Sequence, residues 1–240
     1  MEESLVIFDY LPYLPNDQNE LNYIINLKET FELNYNSEKY HFAFFAYHML
    51  FMSFVYYEIW QIREKKKEFE IAMIGFDSEL ENKIKSINRP FSLSKLSESG
   101  IFRVFRLLEC PDDQIGNFKK IVKLRNEAAH VNGSRNFATK GFIDSTVNDI
   151  IRHIEKIQAL TISIIEETFE TFLIEYWNPE LWESDNITDQ IREILVRKHY
   201  LSLNDIRHLC KFKINNLQSD PNFIQIKSLF EEFKKQYSEE

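Results

Sequence analysis

Apolar residues recur at helical spacing along most of this chain, and no stretch alternates regularly between apolar and polar positions. The two longest periodic stretches run from about 40 to 76 and from 142 to 177, and shorter ones lie near 19–32, 101–109 and 222–236. With only five Gly and six Pro in 240 residues, few positions interrupt them. The pattern predicts an all-α fold, a bundle of long antiparallel helices with a smaller C-terminal helical extension.

Polar residues that can cap helices indicate where the shorter helices begin. The expected caps are Ser92 or Ser94, Asp112 or Asp113, Thr188, and a capping box of Ser202 with Asp205 for a helix to about Asn216. Asn132-Gly133 is a helix-stop signal, because Gly adopts the left-handed C-cap conformation easily. The stretch 142–177 contains no Gly or Pro and would span about 54 Å as one straight helix. A single break in it is the alternative.

A change of composition near residue 181 divides the chain. The segment Glu166–Glu193 carries nine acidic residues and one Arg, whereas Arg192–Lys213 carries six Lys/Arg and two acidic residues. We therefore expect a helical bundle with an N-terminal arm over residues 1–180 and a helical extension over 181–240.

The most apolar segment, 42–57, is about 16 residues long and falls short of the roughly 20 residues that cross a bilayer. A charged stretch follows it, so we expect a buried core helix and no membrane partner. His41 and His48 lie on one face of this helix and are expected to be hydrogen-bonded core or interface residues. The acidic N-terminus lacks the pattern of a signal peptide, and Cys110 and Cys210 suit free thiols. These features favour a cytoplasmic protein.

The charge is distributed unevenly. The chain has a net charge of −9, which argues against non-specific coating of nucleic acid, yet residues 119–140 contain six Lys/Arg and a single acid. A local excess of positive charge is suited to phosphate groups. The candidate RNA-binding residues in it, besides Arg125, are Lys119, Lys120, Lys123, Arg135 and Lys140.

Within this basic segment, Arg125, Asn126 and His130 precede the predicted helix stop. Asn126 and His130 share a helix face because they are four residues apart. Arg125 lies about 140° round the helix from His130, so the two side chains converge only at a bent helix end or across a partner surface. Histidine is the usual proton-transfer residue near neutral pH, and arginine binds phosphate through a planar fork of donors.

The run Arg125-Asn126-Glu127-Ala128-Ala129-His130 resembles the R-x4-6-H motif of the HEPN superfamily, all-helical domains of toxin–antitoxin, phage-defence and RNA-processing systems. The resemblance covers about residues 40–178. It implies a homodimer whose two motifs form one composite site, with no metal or cofactor, that cleaves RNA to 2′,3′-cyclic phosphate and 5′-OH ends. Arg125 would stabilise the phosphorane charge, His130 would transfer protons, and Asn126 would orient His130 or a phosphate oxygen. An antitoxin or defence-system protein is a possible partner.

Other interpretations stay open. Arg192 and His199 form a second formal match to the motif, but no polar residue follows the Arg and the pair lies outside the predicted bundle. The segment 186–216 has the outline of a helix-turn-helix and suggests a nucleic-acid-binding regulator, although its turn lacks Gly. A non-catalytic helical scaffold is a further alternative.

Some HEPN toxins carry a Tyr two residues after the His, and this chain has Asn132 there, which argues against control by modification of that Tyr. Nucleotide-binding, zinc-protease and serine-hydrolase motifs are absent from the sequence.

Overall fold

A computed structural model describes residues 2–65, 69, 78–130, 137 and 139–237 of the chain. Helices dominate the described residues, which contain no β-strand and a single isolated bridge between Pro12 and Ser202. The predicted all-α fold is therefore confirmed. The α-helices, numbered here in chain order, are α1 Glu2–Leu5, α2 Gln18–Asn36, α3 Tyr40–Lys65, α4 Ser78–Lys85, α5 Glu98–Ile101, α6 Asp112–Ala129, α7 Lys140–Glu175, α8 Ile187–Asp189, α9 Leu203–Leu209 and α10 Phe223–Tyr237.

Tighter or wider helical turns join several of these helices. The 3₁₀ segments are Val6–Tyr10, Pro90–Lys95, Phe102–Leu108, Pro179–Leu181 and Ile214–Leu217, and the π-helix Gln190–Arg197 continues from α8. The predicted N-terminal arm is thus partly helical. Residues 142–177 were expected as one long helix or a broken one, and α7 is continuous over 36 residues.

Three of the predicted caps are wrong and one is confirmed. Ser97, not Ser92 or Ser94, caps the helix α5 by accepting the Gly100 amide, and Pro111 precedes α6 without a side-chain cap. Asn186 caps α8 where Thr188 was expected. Ser202 and Asp205 form the predicted capping box of α9. At α5 and α8 the wrong predictions fall where several neighbouring Ser, Thr, Asp or Asn residues compete, because each can accept an amide of a first helical turn. Helix α6 instead begins at Asp112, so Asp112 and Asp113 stand inside its first turn.

Two predicted helix ends also change. The helix after Ser202 ends at Leu209, not near Asn216, and a separate 3₁₀ turn follows it. Helix α6 ends at Ala129, and the predicted stop at Asn132-Gly133 lies outside the described residues. The predicted extension of α3 towards residue 76 also lies largely outside them.

The contacts of the chain divide it into two compact units. The N-terminal unit contains residues 1–7 and 17–161, and the C-terminal unit contains residues 8–16 and 162–240. The division falls inside α7, whereas a domain boundary was predicted at 180/181 from composition; that boundary stays a prediction.

Helix α3 is the centre of the N-terminal unit, because apolar side chains surround its whole circumference and every face must be covered. Phe51 stacks on Phe102 at a ring distance of 6.2 Å, and Phe102 lies 5.8 Å from Phe118 of α6. By length and composition α3 is apolar enough to cross a membrane, but 83% of its most apolar window is buried inside the protein. A buried core helix can have the same length and apolar composition as a membrane span, so these two properties are weak evidence for a span.

The C-terminal unit has an apolar core of its own. Phe169 of α7 lies at its centre, 4.8 Å from Phe233 and 5.4 Å from Phe212 between ring centroids. Leu201 and Ile206 are fully buried in the same cluster. Tyr13 of the N-terminal arm lies edge-on to Tyr237 at 6.2 Å, which attaches residues 8–16 to this unit.

We predict that Phe118→Ala lowers the free energy of unfolding by about 3–5 kcal/mol, because it removes a fully buried ring at the centre of the N-terminal unit. Denaturant titration followed by circular dichroism measures the loss. The control is Phe42→Ala, whose side chain is 59% exposed and should change stability by less than about 0.5 kcal/mol. Equal effects of the two substitutions would contradict this account of the core.

Candidate functional site

Helix α6 carries the Arg125, Asn126 and His130 motif. Asp112 and Asp113 stand in its first turn, where negative charge is favourable with the helix dipole. The helix ends at Ala129, and His130 is its C-cap with an extended backbone (φ −107°, ψ 124°) and an amide that donates to the Asn126 carbonyl at 3.2 Å. The side chain of His130 is exposed at this helix end.

The motif residues lie on two different faces of α6. Lys119, Lys123, Asn126 and His130 recur at i, i+4, i+7 and i+11 and form one stripe, of which all but the half-buried Lys119 are exposed. Arg125 lies on the opposite side, with the buried residues of the helix. Asn126 and His130 are thus both exposed, whereas Arg125 is directed into the bundle. That Asn126 and His130 share one face stays a prediction.

Inside the bundle Arg125 meets a carboxylate that the sequence analysis did not single out. An Nη atom of Arg125 donates to Oε2 of Glu98, and Nε2 of His48 lies 3.2 Å from the same oxygen. Glu98 is the first residue of α5, so the Ser97 cap fixes its position. The side chains of Arg125 and Glu98 are each 28% exposed, and that of His48 is 2% exposed. Hydrogen bonds through Glu98 thus link the buried His48 to the partly exposed Arg125.

The electrostatics of these groups follow from burial and pairing. Partial burial by itself would raise the pKa of Glu98, but the hydrogen bonds from His48 and Arg125 outweigh it and lower this pKa from 4.5 to about 2. Burial lowers the pKa of His48 below 6.5, despite the opposing effect of Glu98. His48 is therefore neutral at pH 7 and must carry its proton on Nε2 to donate to the carboxylate. Its buried Nδ1 has no hydrogen-bond partner among the described residues.

The predicted RNA-binding lysines do not all lie together. Lys120 and Lys123 are exposed along a groove of about 400 Å³ between α6 and α7, which Glu127, Asp149 and His153 also line. The Lys120 amine donates to Asn117 at 2.7 Å, and Lys123 lies 4.0 Å from Glu127.

Another predicted RNA-binding residue, Lys140, stands apart from that groove. Lys140 lines a separate cavity of about 220 Å³ with Tyr35 and Asp144. Arg135 lies outside the described residues.

His153 is a further residue of interest in this groove. Burial, followed by the charge of Lys156, lowers its pKa below 6.5, and its Nδ1 is buried without a hydrogen-bond partner in the described part of the chain. Its ring lies edge-on to Phe118 at 5.4 Å. No sequence signal distinguishes His153 from an ordinary helix residue, because its neighbours in the groove come from α6.

The alternative nucleic-acid segment lies within the C-terminal unit. Arg207, a basic residue in the second helix of that segment, forms an ion pair with Asp9 at 2.9 Å. Arg192 of the second motif match pairs with Asp189 and Glu193 at 2.8 and 2.9 Å. The predicted turn lacks Gly, and Tyr200 takes the left-handed conformation there instead (φ 54°). Both arginines are thus engaged by acids of their own unit.

Protein-family models, curated proteins and solved structures were compared with the chain, and none matched. Among the described residues, no three His, Cys, Asp or Glu side chains are arranged to share a metal ion. Any assignment of activity therefore depends on the residues described above.

We predict that Glu98→Gln lowers the free energy of unfolding at pH 7 by about 1–3 kcal/mol, because it removes the charge that pairs with Arg125. The folded-state pKa of Glu98 lies below its unfolded value, so the unfolded chain binds the proton first. The carboxylate's contribution is full above about pH 4.5 and is lost as the pH falls towards 2. The difference in the free energy of unfolding between the parent protein and Glu98→Gln should therefore become smaller as the pH falls from 4.5 towards 2.

Asp112→Asn is the matched control, because it removes an exposed ion pair with Arg106 that should contribute at most about 1 kcal/mol. Denaturant titrations of all three proteins at pH 7 and pH 3 make the comparison. A Glu98→Gln effect equal to the control, or one that persists at low pH, would contradict the role of this carboxylate.

Proposed function

We propose that this protein is a metal-independent endoribonuclease of the HEPN type that acts as a homodimer in the cytoplasm. The observation that carries the proposal is the helix end itself. Arg125 is held in a fixed orientation by Glu98 and remains partly exposed, while Asn126 and His130 are exposed within the last turn and cap of the same helix. A fixed guanidinium and a solvent-accessible imidazole are the two groups that suit transfer at a phosphodiester.

In the proposed reaction, the RNA 2′-OH attacks the adjacent phosphorus and the bond to the 5′-oxygen breaks. A histidine removes the proton of the 2′-OH, and a protonated group returns one to the leaving 5′-oxygen, so that a 2′,3′-cyclic phosphate and a 5′-OH result. Arg125 would stabilise the negative charge on the non-bridging oxygens. DNA lacks the nucleophile and would bind without cleavage.

The two faces of α6 explain why a dimer is part of the proposal. Arg125 and His130 of one chain point in different directions, so a single protomer does not present both to one phosphate. Two helix ends that meet at a two-fold axis would place His130 of one protomer near Arg125 of the other. Ala129 is exposed beside them, and a small side chain there permits close approach of a second helix.

The groove between α6 and α7 would guide the RNA backbone. Its exposed Lys120 and Lys123 offer two amines to phosphate oxygens, and this contribution depends on salt. A ribonuclease that attacks cellular RNA needs restraint, so we include an antitoxin or defence-system partner in the proposal.

A non-catalytic scaffold is the second candidate, and one observation favours it. The ion pair between Arg125 and Glu98 fastens α6 to α5 whether or not RNA binds. If the protein is such a scaffold, Arg125 only stabilises the packing of α6 on α5, and the purified protein does not cleave RNA.

Incubation of the protein with RNA or DNA in EDTA tests the proposed activity. We expect cleavage of RNA only, with cyclic-phosphate ends, and a loss of at least about 100-fold in His130→Ala, which lacks the proton-transfer group. Arg125→Ala should also be inactive. His199→Ala is the matched control and should cleave RNA normally, because His199 belongs to the second match to the R-x4-6-H motif, outside the proposed site.

His130 is exposed, so His130→Ala should retain the circular dichroism spectrum and unfolding midpoint of the parent protein. Cleavage that survives this substitution would refute the proposed site. Intact RNA with the unmodified protein would favour the scaffold.

RNA binding should depend on the groove lysines. We expect the double substitution Lys120→Ala and Lys123→Ala to reduce the slope of log K against log salt by about 1.4, since each phosphate contact to a single strand contributes about 0.7. Fluorescence anisotropy in the His130→Ala background measures the slope without cleavage. The control is Lys211→Ala with Lys213→Ala, two exposed lysines of the C-terminal unit. A larger effect of the control pair would instead favour the regulator alternative at 186–216.

A further inference from the structure

A cavity of about 450 Å³ opens beside Glu98 in the N-terminal unit. Its walls come from α2, α3, the 3₁₀ segment Pro90–Lys95 with the residue before it, and α5. The side chains that characterise it are Tyr23, Met49, Tyr56, Arg89, Phe91 and Glu98. A cavity of this size accommodates one planar ring system with its attached sugar.

The rings in this cavity stand edge to face. Tyr23 and Tyr56 are inclined to Phe91 by 77° and 69°, with centroid distances of 5.5 and 6.3 Å. Tyr23 and Met49 are 37% and 43% exposed, so apolar surface remains open to solvent at the cavity. Tyr23 is the exposed ring of the three, and an exposed aromatic ring can stack on a flat ligand.

The polar groups of the cavity indicate the chemistry of that ligand. The hydroxyls of Tyr23 and Tyr56 have no hydrogen-bond partner in the described part of the chain, so they offer two donors or acceptors. Burial raises the pKa of both phenols, and both stay neutral at pH 7.

The charged groups in the cavity wall are each paired. Arg89 lies 2.6 Å from Asp17, and Glu98 binds Arg125 and His48. No unpaired charge among the described residues of this wall attracts a cation or an anion, which favours a neutral, flat heterocycle with hydrogen-bonding atoms.

The position of Glu98 connects this cavity to the motif of α6. Glu98 lines the cavity, and its carboxylate holds Arg125, the side chain that we propose binds the phosphate. A ligand in the cavity is thus separated from that guanidinium by a single side chain. A nucleobase attached to the bound phosphodiester satisfies both the chemistry of the cavity and its position.

We infer that this cavity binds one unstacked nucleobase of the RNA, so that the substrate must be single-stranded at that nucleotide. The inference rests on the proposed ribonuclease function and specifies its substrate. A base within a duplex cannot stack on an aromatic ring of this cavity without leaving its own stack, whereas loops and single strands present bases freely.

Equilibrium binding of a labelled 2′-O-methyl oligoribonucleotide of about eight nucleotides tests the inference, because this probe lacks the nucleophile and is not cut. We expect Tyr23→Ala to weaken its binding at least about fivefold, as loss of one stacked base should. Tyr23→Phe keeps the ring and should lose much less. The control is Tyr13→Ala, whose tyrosine is similarly exposed (38%) but lies in the C-terminal unit. The probe paired with its complement should bind more weakly than the single strand.

Saturation-transfer NMR with the four nucleoside monophosphates provides a second measurement that is independent of cleavage. Transfer to base protons, reduced in Tyr23→Ala and retained in Tyr13→Ala, supports the cavity as a base site even if the protein never cuts RNA. Base binding without RNA cleavage would refute the proposed ribonuclease but would still support the cavity as a nucleobase site. Unchanged probe binding by Tyr23→Ala, or no transfer from the parent protein to any nucleotide, would overturn the inference even if RNA is cleaved.

Discussion

The carboxylate of Glu98 is shared by two donors, Arg125 and His48, and the arrangement of the candidate site depends on this interaction. A guanidinium on the buried side of a helix is costly unless an opposite charge accompanies it. Glu98 supplies that charge and fixes the direction of Arg125. Glu98 also lines the aromatic cavity, so one residue orients the cation of the motif and forms part of the wall of the neighbouring site.

This shared carboxylate also separates two roles along α6. The face with Arg125 belongs to the core of the N-terminal unit, and the face with Lys123, Asn126 and His130 belongs to the surface. In a single chain the helix therefore divides the motif between inside and outside. The proposed dimer reunites the two halves, and the proposed base site lies on the inner side, next to Arg125. The proposed active site requires His130 at the surface of α6, whereas the proposed base site lies on its inner side, so different variants test the two.

Helix α3 imposes the packing on which this site is built. Its circumference is apolar throughout, so α2, α6 and α7 must cover it, and the ring contacts from Phe51 through Phe102 to Phe118 connect α3 with α6. His48 projects from this buried helix and meets Glu98 only because α5 packs nearby. Burial keeps His48 neutral, so it serves Glu98 as a hydrogen-bond donor and not as a second positive charge.

The sequence alone predicted the all-α fold and the approximate positions of the longer helices, because helical periodicity is a local property of neighbouring residues. It predicted a long helix over 142–177, where α7 lies, and the Ser202–Asp205 capping box, but not the other three caps. It did not reveal Glu98, which reaches Arg125 across 27 positions and His48 across 50. It also did not reveal the cavity between Tyr23, Tyr56 and Phe91. Such pairings arise when separate helices pack, and no local pattern records which distant side chains that packing brings together.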